Sequence, residues 1–202
     1  MAWKIEKWLS EVFPKEDRIY DEYRELPRRE LAIVAAAILD VALAEALSKR
    51  MADLPNEYEK FLGLDEDGRA PSGSFGARIQ LALLLGIISQ KDATILREVK
   101  NIRNKFSHRV KVDFTSPLVK PHVVRLHELF QARLTGLLEP VVGDTIKANE
   151  LRDAFEITPE AGAGLLLAVL SVYQAYFHRV IPHITRVASI QIPKPLRYRR
   201  HS

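Results

Sequence analysis

The chain has no cysteine. That excludes disulfides, thiolate metal ligands and cysteine nucleophiles, and it suits a reducing compartment. Acid is missing from one region. Residues 161–202 contain no Asp or Glu, yet they hold Arg179, Arg186, Lys194, Arg197, Arg199 and Arg200. Residues 1–160 then carry 24 Lys and Arg against 26 Asp and Glu, so the net charge of +4 describes a nearly neutral body with a basic C-terminal end. Such an end can bind nucleic acid, with Arg197, Arg199 and Arg200 as its candidate contacts; a solvated tail that aids solubility is the plainer reading.

Long uncharged apolar runs are scarce as well. The longest, Leu31 to Leu39, is closed by Asp40, well below the roughly 20 residues of a spanning helix. The first residues, Met1 to Lys7, mix charge with apolar groups and lack the apolar core of a signal peptide. The expectation is a soluble cytoplasmic protein with no membrane association. There is no Gly-rich phosphate loop, no nucleophile elbow and no paired-carboxylate motif. His122 and His127 stand five apart, as do His178 and His183, which misses the four-residue pairing of a helical zinc site. They read as lone surface histidines, and neither metal nor cofactor is expected.

What is present is helix. A length of 202 residues suits one domain, or one with an appendage, and 47% hydrophobic residues supply ample core. Apolar spacing predicts short helices over 3–13 and 15–26, each closed by a proline, and a strong one over 28–52 that is apolar nearly all round. A short helix follows at 56–62. Ser72 or Ser74 caps the next, running to about Ile88, and Ser89 or Asp92 starts one with Ile95, Val99, Ile102 and Phe106 on one stripe. Helical spacing resumes over 121–138, where Pro140 and Gly143 break it, and again over 144–156. Thr158-Pro159-Glu160 opens a last helix bearing Tyr173, Tyr176 and Phe177, which read as core or dimer contacts. Pro182 ends that helix. Period-two alternation is confined to pieces near 109–114 and 187–192. The reading is an all-α bundle of five to seven helices: a helical extension over 1–27, the bundle over 28–180 and a basic extended tail over 181–202.

Chemistry concentrates at the end of the helix that carries the stripe. On a helix Asn104 and His108 share a side, and Arg103 and Ser107 share the next, so the four form one polar sector behind the core-facing Ile102 and Phe106. In one reading His108 is a general acid or base on RNA, Arg103 grips the scissile phosphate, and Asn104 and Ser107 orient them. In the other, His108 finishes a helix C-terminus and an arginine neutralises a buried carboxylate on the apolar helix. Asp40 or Glu45 would be that carboxylate. Arg103 and Arg78 are both candidates to pair with it, and Asp40–Arg78 is the pair expected.

Three segments carry a resemblance. Arg29 to Asp40, Gly73 to Ile79 with Leu85 to Ser89, and Ile102 to His108 resemble, in order and spacing, three blocks of the MltR family, the mannitol operon repressor-like proteins. The match covers residues 28 to about 110. The third block, Arg103, Asn104, three residues, then His108, also resembles the signature of the HEPN superfamily of small helical bundles. The resemblance implies a bundle that often dimerises. Some HEPN proteins are metal-independent endoribonucleases whose Arg and His meet at the dimer interface; others act as inactive scaffolds or regulators. The expectation is an HEPN/MltR-like homodimer acting as a non-catalytic regulatory protein in transcription regulation, through an unidentified protein partner. The alternative is a metal-independent endoribonuclease using Arg103 and His108. No segment reads as a helix-turn-helix, so contact with nucleic acid falls to the basic tail or to the Arg103/His108 patch.

Overall fold

A computed structural model describes residues 23, 25–64, 70–109, 111–154 and 162–186. Among them the protein is all-α, with seven helices and no strand. We label them α1 (Arg28–Arg50), α2 (Pro55–Leu62), α3 (Phe75–Leu84), α4 (Gln90–His108), α5 (Lys120–Val142), α6 (Thr145–Ala154) and α7 (Gly162–Val180), followed by a 3-10 turn at Ile181–His183. The predicted helices over 1–26 and the start signal Thr158-Pro159-Glu160 lie outside the described residues, apart from Tyr23, Glu25 and Leu26.

The organising element is α1. Its alanines and its Leu31, Ile38, Leu39, Leu43 and Leu47 are buried on several sides at once. Small side chains let α3, α4 and α7 pack against it closely, and alanine has the highest helix propensity. By length and mean hydropathy, α1 and the span Gly162–His183 are each apolar enough to cross a bilayer, a property the interrupted Leu31–Leu39 run does not suggest. In this fold 61% and 50% of those windows lie buried inside the bundle, as core helices do.

Two boundaries differ from the expected ones. The helix after Ser74 stops at Leu84 rather than Ile88. Gly86, at φ +67°, takes the left-handed conformation; its N–H donates to Leu83 and that of Ile87 to Ala82. This Schellman closure satisfies the last carbonyls and turns the chain into α4. Conversely, Pro140 does not break α5, which continues to Val142 and ends on Gly143 at φ +71°. An interior proline removes one N–H bond and sets its ring against the carbonyl four residues back. Here only the final turn lies beyond Pro140, so the disturbance falls at the end of the helix. Among the described residues near 109–114 no strand forms; Phe114 is buried against Phe106, with ring centroids 4.8 Å apart.

α4 and α5 run antiparallel, since Asp92 meets Arg133 while Glu98 meets His122. α1 and α7 finish at the same end: Arg50 Nη1 donates to the Thr185 carbonyl at 2.7 Å, and Arg186 pairs with Asp53. Ile181 is buried, so the chain at 181–186 lies against the bundle. Residues 187–202, with Arg197, Arg199 and Arg200, lie outside the described residues.

Candidate functional site

The polar sector of α4 is built by the stripe behind it. Ser89 caps the helix and forms a reciprocal capping box with Asp92. From there Ile95, Val99, Ile102 and Phe106 are buried in turn, which fixes the rotation of the helix. That rotation leaves Arg103 and His108 exposed and Asn104 and Ser107 half-buried. Arg103 Nη1 donates to Asn104 Oδ1 at 3.0 Å. Residues five apart leave a helix about 140° apart, so Arg103 and His108 of one chain project in different directions.

Arg103 is not the partner of Asp40. Arg78 fills that place, with Nη1 2.7 Å from Asp40 Oδ1. The rest of the Arg78 fork is fixed by backbone: Nε donates to the Ser72 carbonyl at 3.0 Å and Nη2 to that of Leu62 at 2.6 Å. One buried guanidinium thus ties α1, α2 and the turn before α3 together. Burial raises the Asp40 carboxyl above its usual range, against the pull of Arg78; Arg103 adds a lesser attraction from further away.

Sequence reasoning passed over the strongest polar constellation. Asp92 is wholly buried between α4, α5 and α7. It accepts from Arg133 Nε at 2.9 Å, from the Tyr173 hydroxyl at 3.0 Å, and from the Ser89 hydroxyl and N–H at 2.5 and 3.1 Å. Burial opposes its ionisation, but Ser89 and Arg133 outweigh it and hold the carboxyl below its usual range. The same surroundings push the Tyr173 phenol well up, through burial first and the neighbouring Asp92 carboxylate second. Nearby, buried Glu98 bonds His122 Nδ1 at 2.8 Å and meets Arg125 Nε at 3.4 Å. His122 is therefore half-buried and engaged, which corrects its reading as a lone surface histidine. The signal was present in the sequence: Asp92 and Glu98 interrupt the buried stripe of α4, and a buried carboxylate requires a partner.

These networks leave little for chemistry. Asp40, Asp92 and Glu98 are each engaged by a side chain from a neighbouring helix. Among the described residues no three His, Asp or Glu side chains gather as a metal site would require. The aromatics Tyr173 and Phe177 are core, while Tyr176 is half-buried with its ring edge-on to both. Comparison of the chain with protein-family models, with curated proteins and with solved structures finds no match.

Proposed function

We propose that this protein is a non-catalytic regulatory or interaction bundle that works through a partner, as its resemblance to MltR-type proteins implies. The observation that carries the reading is the divergence of Arg103 and His108. Positions five apart leave an ideal helix about 140° apart, and Arg103 is bonded to its neighbour Asn104, so one chain is poorly arranged to bring an acid–base group and a phosphate grip to the same point.

A second reading, a metal-independent endoribonuclease assembled by two copies, is favoured by one fact: Arg103 is exposed and not consumed by Asp40. In that reading His108 of one copy meets Arg103 of another.

An Arg103→Ala/His108→Ala variant, assayed on RNA beside the parent chain and sized by sedimentation, separates the two. Both side chains are exposed, so the variant keeps its fold. Inertness of the parent in its largest assembly supports the regulatory reading. Metal-independent cleavage by the parent that disappears in the folded variant overturns it.

A further inference from the structure

The two ends of the bundle differ in charge. One end gathers the start of α1, the last turns of α4, the connection 111–119 and the start of α5; Arg28 lies close enough to Asp113 to act on it through space. Here Arg28, Arg29, Arg103, Arg109, Lys111 and Lys120 are all exposed. Apart from the Arg103–Asn104 bond, none of the six forms a side-chain hydrogen bond or ion pair among the described residues. Among the described residues the carboxylates on their side are few. Glu25 and Glu30 are exposed, and Asp113 accepts from the Thr115 N–H and hydroxyl at 2.8 and 2.7 Å. Glu98, further along α4, is buried under His122 and Arg125.

At the other end the described arginines are committed, while Lys60 and Lys147 stand exposed. Arg152 pairs with Asp153, Arg186 with Asp53, Arg50 holds the Thr185 carbonyl and Arg179 that of Pro140. Glu57, Glu139, Asp144 and Glu150 add negative charge.

We infer that the cationic end is a docking surface for the phosphate backbone of a nucleic acid. Six exposed cations from separate chain segments, at 28–29 and 103–120, lie at this end, none of them ion-paired among the described residues, and like charges near one another carry a cost that a polyanion relieves. Four of the six are arginines, whose planar fork matches phosphate oxygens better than an ammonium does. Leu118 is the one large apolar side chain exposed at this end among the described residues. A membrane surface or an apolar protein partner would find too little to bury. This goes beyond the proposed function, because it names a partner class and holds whether or not RNA is cleaved. It also extends the polyanion contact from the tail or the Arg103/His108 patch to a whole end of the bundle.

The test is fluorescence anisotropy of the full chain with labelled single-stranded RNA, single-stranded DNA and duplex DNA of about 20 nucleotides, with vesicles of phosphatidylserine and phosphatidylcholine as competitor. Neutralising about five phosphates of a single strand predicts roughly hundred-fold weaker binding as salt rises from about 50 to about 200 mM. Arg28→Glu/Arg29→Glu and Arg109→Glu/Lys111→Glu each weaken binding at least about ten-fold and flatten the salt slope by about 1.4. Lys60→Glu/Lys147→Glu, an exposed control away from this end, leaves it unchanged. Circular dichroism confirms that each variant is folded. Binding of RNA or DNA with this pattern supports the inference, and the better binder assigns the source. The inference is overturned by absence of binding to any of the nucleic acids or by an equal loss in the Lys60/Lys147 control. It is also overturned if the vesicles compete binding away, or if loss is confined to an Arg197→Glu/Arg199→Glu/Arg200→Glu variant.

Discussion

The Tyr173 hydroxyl on α7 donates to Asp92 Oδ1 on α4 at 3.0 Å, joining residues 81 positions apart through a carboxylate that also receives Arg133 from α5. Three helices therefore share one buried negative charge. Removing the cation is worse than removing the phenol, because a buried carboxylate left without its cation keeps its desolvation cost. Arg133→Met is expected to lose about 3 kcal/mol in urea unfolding, and Tyr173→Phe about 1 kcal/mol. The double variant should fall short of, or exceed, the sum, since both act on Asp92. Equal and additive losses would show that Asp92 does not couple them.

The two perturbed aspartates predict opposite pH slopes. Asp92 is held below its unfolded value of about 3.9, so its contribution is present above that pH and is lost as pH falls through the folded value. Asp40 is raised by burial, so its contribution is full below about 3.9 and is lost as pH rises through its higher folded value. Urea midpoints measured across acid pH should show Asp92→Asn removing the loss on the acid side. Asp40→Asn should instead remove the decline that begins above about pH 3.9. Parallel pH curves for the parent and both variants would contradict the assignment.

Gly162 is a packing glycine. A Cβ there would lie 2.7 Å from Phe114 Cβ and 2.8 Å from its Cγ. Gly162→Ala should therefore destabilise the bundle by about 1–3 kcal/mol despite alanine's better helix propensity. Thermal melts of Gly162→Ala beside the parent chain check it. A rise in Tm for the single variant would refute the contact.

Glu98 has two side-chain partners of unequal worth. His122 bonds it at 2.8 Å in half-buried surroundings, while Arg125 stands at 3.4 Å on a largely exposed side chain. His122→Ala is expected to cost about 1–3 kcal/mol, because the buried carboxylate loses its short bond. Arg125→Ala should change stability by less than about 1 kcal/mol. Chemical denaturation of the two variants decides the ranking.

The α4 octet shows how far local pattern carries. The i, i+3, i+4 spacing of Ile95, Val99, Ile102 and Phe106 marks the buried side of the helix, so the polar sector behind it was legible, while whether Arg103 met solvent or Asp40 was not. The Ser89 cap was legible too, as a hydroxyl three residues before an acid. Pro140 misled, because a proline in the last turn disturbs only the end of a helix, and α5 runs two residues past it to Val142. The stop at Leu84 was missed because helical spacing extends through Ile87, while the left-handed Gly86 closes the helix first.

The sequence by itself determined that the described chain is helical, where most helices start, and which stripes they bury. Those properties depend on residues three or four apart. Only the tertiary structure decided which charges meet: Arg78 rather than Arg103 at Asp40, Arg133 and Tyr173 at Asp92, His122 at Glu98. A buried carboxylate announces that it needs a partner, but many arginines could serve. The choice follows from the register in which whole helices pack, which is set by all their buried side chains together.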